Sequence, residues 1–544
     1  MSLQGCKRRE LWLLVILSCC FILLEGRLLY LQVWRSAALT RGAVEQRFQS
    51  VALSDGRGDI RDRHGLSLLD SRDSLSLLVF PTLYRGRESE IIGALSSLSG
   101  IEQITAPPYG SRPFWIGRGL SEREAELASS FPGLLAADRS VRYGPGLLAA
   151  HLIGYIKESE GTGAGGLERS LDKTLSPGRQ KAIGAVVDGH LRLIPGLGYR
   201  ERKAASTAKN VLLTLDRELQ SAIEGIMERR IRSGAVVVLD PSSGEILALA
   251  SRPGFHPSAL AAYLNSSSEA LLNHALCAYQ PGSLFKTVVA AAALEEGLTG
   301  LFQTFHCPGG ITVDGLYFPC SNLHRKEEIS FVEAFAYSCN SVFIELALKL
   351  APGKLTEYAH RFGLGESSGL PLWEQGGSIP LPDELTVPRA RANTALGQGK
   401  VMVTPLQAAA AMAALANGGS RVYPRLLLAL TDGQEQETAR FRERRGERIL
   451  RPETVNKLKY LMHEVIAQGT ARASATTTLP AAAKTGTAES GRFVNGKEKL
   501  NYWIAGFYPL EGARAAVAVF ADDLREGTVQ QVFGEIISYL EAHP

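Results

Sequence analysis

Apolar and polar positions change their pattern along the 544 residues, and each pattern predicts different elements. Near the start lies an uncharged run of 14 residues, Leu11 to Leu24, preceded by Lys7, Arg8 and Arg9. The run continues as a mostly apolar stretch to Trp34 but admits Glu25 and Arg27. A bilayer span needs about 20 apolar residues. The pattern therefore predicts one helix over 11–34 that leaves the hydrocarbon near Glu25–Arg27, with Tyr30 and Trp34 near the interface. Basic residues before a span favour a cytoplasmic N-terminus, residues 1–10, and place the rest of the chain outside. No small-x-small site follows the run, and "ILSC" has Leu17 where a lipoprotein cleavage box has a smaller residue. An uncleaved anchor is expected.

From residue 35 to about 205, short apolar runs alternate with turns rich in glycine, serine and arginine. This predicts a membrane-proximal module of mixed strands and short helices. "GTGAGG" (161–166) reads as a loop and "ERKAASTAK" (201–209) as a linker, so a boundary is expected near 205. Beyond it the signals sharpen. "GAVVVLDPSSGEILALAS" (234–251) is two apolar runs joined by a turn, hence a hairpin. An alanine-rich helix is predicted from Ser283 to about Leu294, entered through Pro281–Gly282. Ser330 and Glu333 form a capping box that opens a helix through Ala336, and another helix runs from about Val342 to Leu350. "TPLQAAAAMAALANGG" (404–419) has Thr404 as N-cap, Pro405 in the first turn, Gln407 completing the box and Asn417–Gly418 as the stop. Three strand-like runs follow, "AAAKTGTAES", "YWIAGFYP" and "RAAVAVFADD". Hairpin first, helices between and strands last imply an α+β domain over 206–544. Its antiparallel sheet would be closed by both ends of the domain, with helices packed on it.

Composition changes this picture little. Hydrophobic residues make up 45% of the chain, charged residues 21%, and the net charge is +4. That excess is too small, and too poorly interleaved with aromatics, to predict a nucleic-acid partner. The seven cysteines show no C-x-x-C and no zinc spacing with histidine, so no metal is expected from spacing. Cys307 and Cys320 bracket a hairpin-like loop; a disulfide and two separate thiols are both compatible with that spacing.

The candidate chemistry begins with a spacing that occurs three times: Ser170/Lys173, Ser206/Lys209 and Ser283/Lys286. Only the third opens a predicted helix well inside the second half, where Ser338-Cys339-Asn340, in a link between predicted helices, and Lys484-Thr485-Gly486-Thr487, on a predicted strand, follow in order. A serine hydroxyl becomes a nucleophile when a base lies within hydrogen-bond reach. One helical turn brings Lys286 to the face of Ser283. Burial and a second cation, Lys484, would lower its pKa. Ser338 can relay a proton and Asn340 can hold a substrate amide. The N–H groups of Ser283 and Thr487 can form an oxyanion hole. Each triplet alone is a commonplace helix start, turn or solvated charge; their ordered combination points to acyl transfer.

These three motifs resemble those of penicillin-binding proteins. Further segments extend the resemblance, specifically to class B penicillin-binding proteins: "GRGDIRDRHG" (56–65), "RYGPGLLAAHLIGYI" (142–156), "GGLERSLD" (165–172), "LTLDRELQ" (213–220), "ASRPGFHP" (250–257), "GQGKVMVTPLQ" (397–407) and "AGFYP" (505–509). The resemblance implies an anchor, a pedestal (dimerisation-type) domain over 35–205 and a transpeptidase domain over 206–544. It implies a cofactor-free D,D-transpeptidase that cross-links peptidoglycan stem peptides through a serine acyl-enzyme and is acylated by β-lactams. Carried over, Ser283 is the nucleophile and Lys286 the base, with Ser338 and Asn340 as the second motif. Lys484, Thr485, Gly486 and Thr487 would bind the substrate carboxylate and shape the oxyanion hole. No glycosyltransferase domain fits the first half, so the implied partner is a separate polymerase of the SEDS type. Many relatives carry a Gly-His-Gly-like turn where this chain has "LHRKEEIS" (323–330), and no C-terminal wall-binding repeats are expected. A D,D-carboxypeptidase or a non-enzymatic penicillin-binding scaffold or sensor would share the three motifs. A β-lactamase is disfavoured, because Glu269 to Asn273, the one Glu-x-x-x-Asn run, precedes the nucleophile.

Overall fold

The computed structural model describes residues 3–543, except 40–41, 43–47, 54–55, 84–88, 90–91, 94, 96–112, 117–118, 132, 158–160, 177–181, 189–193, 195–198, 203–206, 265–268, 321–326, 473–479, 495 and 523–526. Helix α1 covers Leu3–Leu29 and passes into a π-helical turn, Tyr30–Trp34. The apolar stretch Leu11–Trp34 is long enough to cross a membrane, and none of it is buried against protein. An apolar surface of this kind is stable only in a non-aqueous environment. The helix is a membrane anchor.

The described chain forms two compact units that interleave in sequence. The first comprises 1–56, 72–141 and 179–206; the second comprises 57–71, 142–178 and 207–544. In the first unit, strands β1 (Phe48–Ala52), β5 (Ala182–Val186) and β6 (Tyr199–Arg202) form one antiparallel sheet. Strands β2 (Arg72–Val79), β3 (Phe114–Ile116) and β4 (Leu134–Val141) form another, with β2 in the middle. Leu77 and Val79 of β2 pack with Leu95, Leu120, Ala128 and Leu134, while Leu78 and Phe80 pack with Ala185 and Val187. The alternation sends successive side chains to opposite faces. Part of the expected linker, Glu201–Arg202, completes β6, because it pairs with Ala182–Ile183; residues 203–206 lie outside the described residues.

The second unit is built on a five-stranded antiparallel sheet. Strands β7 (Gly234–Leu239) and β8 (Ile246–Arg252) are the predicted hairpin. Strands β9 (Ala482–Val494), β10 (Lys497–Tyr508) and β11 (Ala515–Asp522) are the three late runs. The order is β8-β7-β11-β10-β9, so the first hairpin pairs with the last strand, as the sequence pattern predicts. Every residue of β11 is buried, which requires cover on both faces. Helix α2 (Pro405–Ala416) packs on β7, β10 and β11, and all of its residues are buried. Its alanines let helix and sheet approach closely. Its Thr404–Gln407 capping box is present as read from the sequence.

Two segments ahead of residue 205, 57–71 and 142–178, belong to this second unit, tied by a buried charge cluster. Glu168 is fully buried and accepts from Arg57 Nε at 3.0 Å, Arg142 Nε at 2.5 Å and Tyr143 Oη at 3.2 Å. Arg57 also pairs with Asp172 at 2.7 Å, and Arg142 donates to the Gly58 carbonyl at 3.0 Å. The "GTGAGG" stretch beside it is more ordered than a loop. Thr162–Gly163 pairs with Ile156–Lys157, and Gly166 opens a short helix that carries Glu168. A buried charge is tolerated only with partners in place. Replacing Glu168 with Gln removes the buried negative charge that Arg57 and Arg142 share. We expect a loss of about 3–5 kcal/mol, read from chemical denaturation; a loss below about 0.5 kcal/mol would show the cluster to be dispensable.

Candidate active site

Gly282–Phe285 forms one 3-10 turn, and the α-helix α3 follows from Lys286 to Glu295. The sequence predicts an α-helix from Ser283 itself. Gly282 starts this tighter, i+3-spaced turn at a left-handed φ of 54°, where Gly486 of the 482–494 strand packs closely on the Pro281 carbonyl. Ser283 is half-buried at this entrance, while Lys286 is fully buried one turn on. Ser338 lies between helices α4 (Phe331–Ala336) and α5 (Asn340–Lys349), in the predicted link. It is a non-glycine residue held at φ 60°, a conformation that persists only when its surroundings impose it. Lys484, Thr485, Gly486 and Thr487 lie on β9, paired with Ala505, Ile504, Trp503 and Tyr502 of β10.

These elements converge on the Ser338 hydroxyl. Lys286 Nζ donates to Ser338 O at 2.6 Å, Ser338 Oγ at 3.2 Å and Asn340 Oδ1 at 2.7 Å. Lys484 Nζ reaches the same Ser338 Oγ at 3.1 Å and the Thr485 carbonyl at 3.0 Å. The structure thus brings together Lys286, Ser338, Asn340, Lys484 and Thr485. Ser283 sits one turn from Lys286, but its hydroxyl makes no hydrogen bond to a described residue. Thr487 is exposed, with its backbone against Gly282. Of the rival pairs, Ser170 donates to the Gly166 carbonyl within its own helix, and Ser206 lies outside the described residues.

Electrostatics at this point is unusual. Both lysines are fully buried, and among the described residues neither pairs with a carboxylate. Burial lowers the Lys286 pKa to about 8, against an opposing pull from the Cys339 and Cys320 sulfurs. Burial, and then the like charge of Lys286, push Lys484 well below the ordinary lysine value. Aromatic faces soften the penalty. Lys286 Nζ lies 5.5 Å from the Phe343 ring centre and Lys484 Nζ 5.8 Å from that of Phe335. A neutral amine is therefore accessible near physiological pH.

Backbone packing fixes the spacing. A Cβ on Gly486 would lie 2.3 Å from the Pro281 carbonyl, and one on Gly397 would lie 2.1 Å from that of Gly282. Gly397 also accepts from the Gly282 N–H at 3.0 Å. The strand and the turn meet only because these positions carry no side chain. The Trp503 indole donates to the Gln280 carbonyl at 2.9 Å and clamps the turn from β10.

Several residues were not found from the motifs. Thr470 Oγ1 lies 2.5 Å from Thr485 Oγ1, and Asn340 Nδ2 donates to the Pro319 carbonyl at 2.6 Å. Three cysteines, Cys307, Cys320 and Cys339, gather beside Asn340 as thiols rather than as a pair. Their separations in sequence gave no sign of it, although Cys339 lies inside the second motif. The Cys307–Cys320 loop is the expected hairpin, Gly310–Val313 with Leu316–Pro319. Half of the "LHRKEEIS" turn, 323–326, lies outside the described residues.

Known proteins are similar to this chain over most of its length. The family described as "Penicillin binding protein transpeptidase domain" matches residues 234–538. The chain is 28% identical to stage V sporulation protein D of Bacillus subtilis, over 96% of this chain and 83% of that protein. It is 27% identical to the peptidoglycan D,D-transpeptidase FtsI of Escherichia coli, over 95% and 88%. A solved structure described as "Structural coordination of polymerization and crosslinking by a peptidoglycan synthase complex" superposes with a TM-score of 0.69 at 25% identity, covering 97% of this chain and 98% of that one.

Two outcomes follow from the geometry. If neutral Lys286 is required, penicillin acylation rates should rise about tenfold per pH unit below pH 8 and level off above it. A rate independent of pH between 6 and 9 would contradict this. Gly397→Ala should displace the Ser283 turn and slow acylation about 100-fold, measured by stopped-flow with a chromogenic cephalosporin; a wild-type rate would show that the turn does not depend on this contact.

Proposed function

The chain belongs to the penicillin-binding protein transpeptidase family, and we infer from that membership and from the site how its residues divide the work. It is a class B member: a membrane-anchored, serine-type peptidoglycan D,D-transpeptidase. The observation that carries the assignment of roles is the Ser338 hydroxyl held between two buried lysines, of which Lys286 lies one turn from Ser283.

In this reading Ser283 Oγ attacks the penultimate D-Ala carbonyl of a stem peptide, and the neutral amine of Lys286 takes its proton. Contacts of this kind tighten on substrate binding, which accounts for the unengaged Ser283 hydroxyl. The N–H groups of Ser283 and Thr487 receive the oxyanion. The Lys286–Ser338–Lys484 chain then carries a proton to the departing D-Ala amine. Lys484, Thr485 and Thr487 hold the terminal carboxylate, Gly486 lets the strand approach the nucleophile, and Asn340 orients the donor peptide. An amine on a second stem attacks the acyl-enzyme, releasing Ser283 and forming the cross-link. A β-lactam enters the same path and stops at the acyl-enzyme.

The division of labour follows the same reading. Residues 1–10 form a cytoplasmic tail, residues 11–34 the span and juxtamembrane helix, residues 35–205 a pedestal that lends 57–71 and 142–178 to the catalytic unit, and residues 206–544 the catalytic domain. Lys7, Arg8 and Arg9 support an extracytoplasmic catalytic domain. The partner is a glycosyltransferase of the SEDS type bound through the anchor and pedestal. Likeness over almost the whole chain to a component of a peptidoglycan synthase complex supports it.

Fluorescent penicillin should label the purified protein, and Ser283→Ala should lower labelling by roughly four orders of magnitude or more. Label surviving in that variant would remove Ser283 as the nucleophile. Given donor stem peptide and an acceptor amine, the wild type should form the cross-linked amide. Release of the free acid alone would make it a carboxypeptidase, and no turnover with intact labelling would make it a sensor.

A further inference from the structure

Beside the second motif lies a cluster that the transpeptidase reaction does not use. Cys307 Sγ stands 3.5 Å from Cys320 Sγ and 3.5 Å from Cys339 Sγ, and Cys320 stands 3.7 Å from Cys339. The triangle is nearly equilateral. A tetrahedral zinc ion, with bonds to sulfur of about 2.3 Å, holds its thiolates about 3.8 Å apart. The sulfurs are therefore already near the spacing of one face of such a tetrahedron. A disulfide would use two of them and leave the third buried beside it.

The surroundings suit thiolates. The Ser341 N–H points at Cys320 Sγ from 3.3 Å, and the Ser341 hydroxyl lies 3.1 Å from Cys320 Sγ and 3.4 Å from Cys307 Sγ. A backbone donor such as the Ser341 N–H orients and stabilises a sulfur ligand in a metal site. Cys307 and Cys339 are buried, whereas Cys320 is half-buried and offers a way in. Three thiolates and one divalent ion carry a net single negative charge.

We propose that Cys307, Cys320 and Cys339 form a site for a thiophilic divalent cation of the zinc type, with a fourth position open beside Ser341. Binding releases the three thiol protons and forms three metal–sulfur bonds, with no change in oxidation state. The ion ties the loop carrying Cys307 and Cys320 to the middle residue of Ser338-Cys339-Asn340. It thereby fixes the turn on which Lys286 rests.

The test uses the full-length protein in detergent, reduced and anaerobic, with Cys6, Cys19 and Cys20 replaced by Ala. Titration with Co²⁺ should give thiolate-to-cobalt charge-transfer absorption that saturates at one cobalt per chain. Zn²⁺ should displace it, and Cys307→Ser or Cys320→Ser should abolish it. In the parent protein, Zn²⁺ should protect Cys307, Cys320 and Cys339 together from alkylation, read by mass spectrometry, without altering Cys277. This second readout needs no variant in the cluster. Absence of the absorption with unchanged alkylation overturns the proposal. So does acid-trapped protein from native membranes in which two of the three are joined as a disulfide.

Discussion

Two lysines buried side by side, with no carboxylate partner among the described residues, form the constraint on which the site is built. Neither Lys286 nor Lys484 can hold a full charge there as easily as in water. Each is accommodated by neutral oxygens and aromatic faces. Ser338 sits between them because its backbone is forced into a left-handed conformation that points one hydroxyl at both amines. Protonation of one lysine disfavours protonation of the other. Burial makes a base of Lys286, a side chain that is ordinarily an acid at neutral pH, and the charge of Lys286 adds to the burial that lowers Lys484.

The rest of the fold serves to bring three chain segments, far apart in sequence, to that point. Closing the sheet through β7 and β11 sets β10 and β9 in order, and β9 delivers Lys484. Glycines at 397 and 486 remove the side chains that would hold the turn and strand apart. The charge cluster around Glu168 ties 57–71 and 142–178 into the same compact unit as the catalytic residues. This recruitment explains why the resemblance to known enzymes extends well ahead of the residues that perform chemistry.

Much of this was legible in the sequence, for identifiable reasons. The anchor, the 234–251 hairpin, the capping boxes at Ser330 and Thr404 and the closure of the sheet are written in local periodicity and turn chemistry. The three motifs could be ranked because each sits on the kind of element its chemistry needs. Interleaving of the two units was not legible, since it depends on ion pairs such as Arg57–Glu168 between distant residues. The 3-10 turn at Ser283 depends on the approach of β9 to Pro281, and the thiol triangle on the fold of the 307–320 hairpin against α5. Spacing along the chain carries no trace of either.

The central claim is that burial keeps Lys286 partly neutral at working pH. The direct measurement is an NMR titration of the full-length protein with ¹³Cε-labelled lysine, assigned by comparison with Lys286→Arg. The account predicts that the Lys286 resonance titrates near pH 8, well below the ordinary lysines of the same sample. A Lys286 midpoint at the ordinary lysine value would contradict it and leave Ser283 without its base.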